Sequence, residues 1–156
     1  MPDVFKSIVS FIMNKVGYKA NSICLFENVK DGYAYPAFYF PTPIETIGKE
    51  TLNYTHSESS QMFLQIFHNT TSNAMELANK TKEVILKNAG FIPILNYDGS
   101  ETGDRVKVYV KKIQKIDEGI AQVTLNWTCH ANYVPAEEKI ATNIIVGIAT
   151  EGEKNG

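Results

Sequence analysis

Two cysteines, three histidines and no surplus of either charge are the shortages that matter in this sequence. Cys24 and Cys129 lie far apart, each inside an apolar alternating stretch. They form neither a disulfide framework nor a C-x-x-C metal or redox pair. They read as two buried free thiols, with a disulfide between neighbouring strands as the alternative. His56, His68 and His130 make no H-x-x-x-H-like ligand spacing, so no metal site is expected. A net charge of -2 supplies no electrostatic footprint for nucleic acid or an anionic membrane. No apolar run is long enough to span a bilayer. The first residues carry Lys6 and Lys15 within their apolar pattern, unlike the basic n-region and apolar h-region of a secretory signal. Cytosolic synthesis is expected. The glycines fall into neither G-x-G-x-x-G nor a P-loop, so no cofactor is expected. Ser57, Ser59 and Ser60 cluster near His56 without a G-x-S-x-G elbow.

What remains is an ordinary globular composition, 44% hydrophobic and 21% charged. A chain of 156 residues is long enough to bury a real core and fits one domain. The stretch from Thr51 to Gly90 organises it. Met62, Leu64 and Ile66 alternate with Phe63 and Phe67, which predicts a long central strand with apolar groups on both faces. An amphipathic helix follows, in which Ala74, Leu77, Ala78, Thr81, Val84 and Ile85 keep helical spacing. Asn73 is placed to cap its start, with Glu76 three residues on, and Gly90 to end it in a left-handed turn. Glu76 with Lys80, and Glu83 with Lys87, are favourable i,i+4 pairs on its wet side.

Residues 3–17 read as another core helix. Val4, Phe5, Ile8, Val9, Phe11, Ile12 and Val16 make its apolar stripe, Asp3 caps it and Gly17 closes it. Ser22–Glu27 is a short strand, and Asp31-Gly32 a turn. Tyr33–Phe40 is a second strand that Pro36 confines to an edge or a bulge. The stretch from Pro41 to Glu50 reads as a loop. Phe91–Tyr97 is a short strand with Pro93 again pointing to an edge. Residues 98–104, DGSETGD, form a polar glycine-rich loop. Arg105–Ile116 alternates valines with a basic face of Lys107, Lys111, Lys112 and Lys115 around Tyr109. After a three-residue connection, Ile120–Tyr133 gives the clearest strand: Val123, Leu125, Trp127 and Cys129 on one face, Gln122, Thr124, Asn126, Thr128 and His130 on the other.

The end of the chain has two readings. Ile140–Thr150 is apolar and β-prone, between the polar VPAEEK and the charged EGEKNG. Ile140, Thr142, Ile144, Val146 and Ile148 share one side and Ile145 adds bulk to the other. The run is either the last strand of the same sheet or an arm that adds to a neighbouring subunit. The linker, extended, reaches roughly 20 Å, enough for either. The expected fold class is α+β: a mainly antiparallel sheet with the N-terminal helix and one central helix packed on it.

The succession from helix to two strands ending in PAFYF, a loop holding Gly48-Lys49, a long strand, a helix and three antiparallel strands resembles the tail terminator, or tail-completion, proteins of tailed bacteriophages and phage-tail-like particles. The resemblance is carried by Gly32–Phe40, Gly48-Lys49, Met62–Phe67 leading into Asn73–Lys87, and Val123–Tyr133. It implies a single domain over residues 1–133, with 134–156 as a C-terminal strand or inter-subunit arm. It also implies a non-catalytic protein that assembles as a homohexameric ring on the head-proximal end of a tail tube. There it would stop tube growth and give a head or collar its docking surface. The implied partners are the chain itself, the tail tube protein and a sheath or head-connector protein, with no membrane and no sequence-specific nucleic acid. Such a protein is made in the bacterial cytoplasm and incorporated into the virion or tail-like particle. In a ring, two regions are expected to make contacts. One is the C-terminal run Ile140, Thr142, Ile144, Ile145, Val146 and Ile148. The other is the loop with Asp98, Ser100, Glu101, Thr102 and Asp104, facing the lumen or an adjacent ring, with an idle surface loop as the alternative reading. The competing readings are a small hydrolase using His56 or His68 and a nucleic-acid-binding module.

Overall fold

The computed structural model describes residues 3–26, 35–52 and 55–132; of these, 49–52, 55–56 and 130–132 are described by backbone alone. The expected Asp31-Gly32 turn, the start of the Tyr33 strand and the whole C-terminal run lie outside the described residues. Contacts divide the chain into two units, Met1–Thr46 with Ser59–Cys129, and Ile47–Glu58 with His130–Gly156.

The fold is α+β. In chain order come α1 (Val4–Ile12), β1 (Ile23–Leu25), β2 (Ala37–Tyr39), β3 (Ile44–Leu52), β4 (Thr55–Phe67), α2 (Thr71–Lys87), β5 (Phe91–Leu95), β6 (Glu101–Asp117) and β7 (Ile120–Asn132). The sheet runs β1-β2-β4-β7-β6-β5, and β3 pairs with β4 off that path. β1 and β2 are parallel, while β2–β4, β5–β6 and β6–β7 are antiparallel.

In the first unit both helices join one core with the sheet. Ile8, Ile12 and Met13 meet Ala74, Leu77 and Ile85, over Phe38, Met62, Leu64, Ile66, Val108, Val123, Leu125 and Trp127. Each Val, Leu, Ile, Phe or Met side chain among them contributes about 1.5–3 kcal/mol by leaving water. The alternation in β4 is visible in its burial: Met62, Leu64 and Ile66 are buried, while Gln61, Phe63 and Gln65 between them are half-buried. The expected central place of this strand is met, but the helices cover only one of its faces.

α1 begins as the sequence predicts, with the Asp3 carboxylate accepting the Lys6 N–H at 3.1 Å. Gly17 does not close it. The helix widens into a π-helical turn over Met13–Gly17, then a 3-10 turn over Tyr18–Ala20, and the left-handed residue is Asn21, at φ 56°. Asn tolerates that conformation through its short polar side chain. Gly17 serves packing instead: a Cβ there would strike the Met13 thioether, which lies across it.

The cap of α2 lies three residues before the expected one. Thr70 takes that role, its hydroxyl accepting the Asn73 N–H at 3.1 Å. At the other end Gly90 is not the first left-handed residue. Ala89 takes that position at φ 55° and Gly90 follows at φ 83°. The Ala89 N–H bonds Leu86 O and the Gly90 N–H bonds Ile85 O, each at 2.9 Å, the paired bonds of a Schellman motif.

β2 is shorter than expected and lies inside the sheet, with Pro36 just before it. The Pro36 carbonyl accepts the Ile23 N–H at 3.0 Å, so proline supplies an acceptor and is never asked for a donor. Pro93 does sit on an edge, since β5 is the last strand of its path. The expected loop from Pro41 to Glu50 is largely strand, as β3 runs from Ile44 and pairs with β4. Thr51 belongs to β3, and β4 begins at Thr55. In the second unit Gly48 lies against Ser57, where any Cβ would collide with the serine side chain.

β6 and β7 form the expected hairpin, with Glu118-Gly119 alone as its turn, because Asp117 already pairs with Ile120. Val110 faces Leu125, yet Lys112 faces Thr124, so Lys111 is an extra residue. This bulge shifts the inward positions from Val106, Val108 and Val110 to Ile113, which faces Val123.

Candidate functional site

The expected ring-contact loop is resolved into two parts. Asp98 and Ser100 lie in a tight turn after β5, whereas Glu101, Thr102 and Asp104 belong to β6. Hydrogen bonding converts the polar run into strand: the Thr102 hydroxyl bonds Ile94 O at 2.8 Å, and Leu95 pairs with Glu101. The turn is closed by the Asn96 N–H to Ser100 O at 2.8 Å and the Gly99 N–H to Asn96 O at 3.0 Å. Inside it the Asp98 carboxylate accepts the Ser100 N–H at 2.9 Å and the Ser100 hydroxyl at 2.6 Å. Those bonds hold the Asp98 carboxyl below its ordinary range, the hydroxyl bond most of all. On the inner side, a cleft of about 230 Å³ separates the turn from the start of α1, between Tyr97 and Gly99 on one wall and Asp3, Lys6 and Ser10 on the other. Ser7 ties the walls together, donating to Asp3 O at 2.8 Å and accepting the Leu95 N–H at 2.9 Å.

The expected basic face divides into three environments. Lys107 lies over the Phe91 ring at 4.7 Å and the Tyr109 ring at 5.7 Å, and bonds Ala89 O at 2.5 Å. Lys115 pairs with Glu118 at 2.6 Å. Lys111 and Lys112, at the bulge, line a groove of about 320 Å³ between β6 and α2, joined there by Lys82. Sequence alone did not associate Lys82 with that group. It looks like any solvated helix lysine until α2 is laid beside β6.

The other end of β6 is tied to the rest of the first unit. The Gly119 carbonyl accepts the His68 N–H at 2.8 Å, and the Gly119 N–H reaches the Thr71 hydroxyl at 2.9 Å. That hydroxyl in turn bonds Glu118 at 3.1 Å. The Glu118 carboxyl is held below its ordinary range, first by the Lys115 hydrogen bond and then by Thr71. Gly119 has φ 73°, and a Cβ there would lie 2.5 Å from His68 O.

None of this is arranged as a catalytic constellation. His68 Nδ1 spends its contacts on the neighbouring Asn69, 2.8 Å from its backbone nitrogen and 2.5 Å from its Oδ1, a local turn arrangement. His56 lies on β4, where only its backbone is described. Ser59 meets the Thr128 hydroxyl at 3.4 Å, and Ser60 is buried. Among the described residues no three His, Cys, Asp or Glu side chains converge on a metal position. Neither Cys24 nor Cys129 is joined in a disulfide; both are half-buried, and burial raises the Cys24 thiol pKa. No described helix is long and apolar enough to cross a membrane. The candidate contact residues Ile140, Thr142, Ile144, Ile145, Val146 and Ile148 lie outside the described residues.

No family model matches the chain. It is 23% identical over 124 residues to the uncharacterized protein YqbJ of Bacillus subtilis (strain 168), a match covering 78% of this chain and 83% of the relative. It is 24% identical over 139 residues to the phage-like element PBSX protein XkdJ of the same organism, covering 88% of this chain and 91% of the relative. With so much of both chains inside the match, the likeness is that of whole domains rather than of one shared motif.

Proposed function

We propose that this chain is a structural ring subunit that caps the head-proximal end of a phage-type tail tube. It ends tube growth and gives a head or collar its docking surface. The observation that carries this reading is the likeness, over 88% of the chain, to a protein of a phage-like element. The order of elements supports it, since α1, the short strands, the long β4, α2 and the β5–β6–β7 strands follow the succession on which the resemblance rests, with β3 in place of the expected loop. So does the surface: Ile44 and Ile47 on β3 are 57% and 72% exposed, apolar groups that a lone subunit leaves in water.

The partners under this reading are further copies of the chain as a homohexamer, the tail tube protein, and a sheath or head-connector protein. The protein is made in the bacterial cytoplasm and carried into the particle. Residues 140–150, outside the described residues, serve under this reading as an inter-subunit arm, the alternative being a last strand of the subunit's own sheet. Native mass spectrometry of the protein, alone and mixed with tail tubes, tests the reading. A ring bound at one end of each tube is expected, and particles assembled without the chain should carry tubes of uncontrolled length. Tube lengths indifferent to its removal would overturn it.

A further inference from the structure

β6 carries carboxylates at its start and a pair of lysines at its bulge, with Arg105 and Lys107 between them and Asp117 at its end. Glu101 and Asp104 stand at its start, beside Asp98 of the preceding turn, and Lys111 and Lys112 follow further along. All five are exposed. The bulge concentrates the basic end: with one residue too many opposite β7, two consecutive lysines occupy the place of one step in the ladder. Lys82 of α2 completes the rim of the groove, and Met75, Val110 and Ile113 give it an apolar lining. Neighbouring cations on this surface are already neutralised, Lys80 by Glu76 at 3.7 Å and Lys115 by Glu118 at 2.6 Å. Among the described residues no carboxylate reaches Lys82, Lys111 or Lys112. Like charges gathered at one groove repel one another, and an anionic partner relieves that cost.

The complement is present on the chain itself. Asp98, Glu101 and Asp104 are three carboxylates within seven residues, and none meets a cation among the described residues. At ~3.3 Å per strand residue, Asp104 is roughly 23 Å from Lys111 along β6, too far to pair within one subunit. Two complementary patches at different places on one subunit are what a head-to-tail contact between copies requires.

We propose that the groove rimmed by Lys82, Lys111 and Lys112 receives the Asp98–Asp104 segment of a second copy of this chain, forming a heterologous contact of the ring. This rests on the ring reading above and names the surfaces that would close it. The apolar lining gives the incoming segment something to cover, and the lysines set its register.

Charge reversal tests the contact on the full-length chain. K111E/K112E leaves each subunit with two acidic patches, and E101K/D104K leaves each with two basic ones. Each variant alone should need at least ~10-fold more protein to assemble than the wild type. Mixed one to one they should assemble together, in alternating rings of even copy number. K111Q/K112Q, which removes charge without adding repulsion, should show a smaller loss and a weaker salt dependence. Circular dichroism of each variant, unchanged from the wild type, separates lost contact from lost fold. Wild-type rings that K111E/K112E leaves intact would overturn the contact and spare the ring. A wild-type chain that stays monomeric at every concentration would overturn the ring, and this contact with it. A mixture that assembles no better than its parts would overturn the pairing of these two patches. Duplex DNA bound by the wild type and lost in K111E/K112E, with rings unaffected, would assign the groove to nucleic acid instead.

Discussion

The two turns that flank β6 look alike in sequence and differ in what they are attached to. Asn96–Ser100 and Glu118-Gly119 are both polar, both exposed at their acidic residue, and both contain a glycine at positive φ, 89° for Gly99 and 73° for Gly119. The first turn satisfies itself. Its hydrogen bonds run among Asn96, Asp98, Gly99 and Ser100, and a Cβ at Gly99 would meet nothing within 4 Å. The second is held from outside, by His68 and Thr71 from the junction of β4 and α2. It fixes where β4 ends and where α2 begins, and the position of α2 decides that Lys82 reaches the groove. A turn with only local bonds is free to vary in service of a contact, whereas one bonded to two other elements is part of the frame.

Alanine at the two glycines should separate the turns most clearly. Gly119→Ala meets both a left-handed backbone and a carbonyl 2.5 Å from the new Cβ. It should cost about 3 kcal/mol, a fall in Tm of roughly 6–12 °C for a chain of this size. Gly99→Ala meets only the backbone penalty and should cost about 1 kcal/mol. Thermal melts of the two variants check this, and equal losses would erase the distinction between the turns.

Between those extremes lies Thr71. Its hydroxyl serves the Gly119 N–H and Glu118 together. Thr71→Val keeps the shape and leaves the part-buried Gly119 N–H unsatisfied, which should cost about 1–2 kcal/mol. Its counterpart in the other turn, Ser100→Ala, removes a hydroxyl that bonds only exposed groups and should cost less. Urea denaturation of both variants orders them. A Thr71→Val protein as stable as the wild type would mean that the turn needs no anchor.

The parts of this architecture that were legible in the sequence are those with a periodic boundary between core and water. β7 alternates except at Thr124, which is buried on the polar face, α1 carries a continuous stripe, and the end of β4 shows period 2 because Met62, Leu64 and Ile66 face the helices. β3 lacked that signal because its described residues from Ile44 to Gly48 are all exposed. Nothing apolar alternates there, and only pairing with β4 makes it a strand. The bulge hid in the Lys111-Lys112 dipeptide, which breaks alternation without a glycine to mark it. Ala89 was unreadable for the opposite reason, since alanine favours the helix it here helps to end. The lysine groove depends on α2 lying beside β6, and no local pattern encodes that distance. The anchoring hydroxyl of Thr71 was missed because the helix was expected to begin at Asn73.

The smallest expected effect concerns the two exposed carboxylates, and it distinguishes the turns by the kind of bond each makes. Asp98 and Glu118 both have folded pKa values below their ordinary ones. A carboxyl depressed in this way adds stability that is present above its unfolded pKa and is lost as pH falls through the folded one. Asp98→Asn and Glu118→Gln should therefore differ from the wild type near neutral pH and converge with it in acid, below the ordinary carboxyl range. Salt should then separate them. The Glu118 shift is led by Lys115, a charged partner in solvent, so the gap between Glu118→Gln and the wild type should shrink as salt is added. The Asp98 shift comes from the neutral Ser100 hydroxyl and N–H, and asparagine keeps an oxygen that accepts both. Its gap should be the smaller of the two and indifferent to salt. Melting temperatures at neutral and acid pH, each at low and high salt, measure both gaps. A salt-sensitive Asp98→Asn gap would show that this turn, too, is held by a charge from outside it.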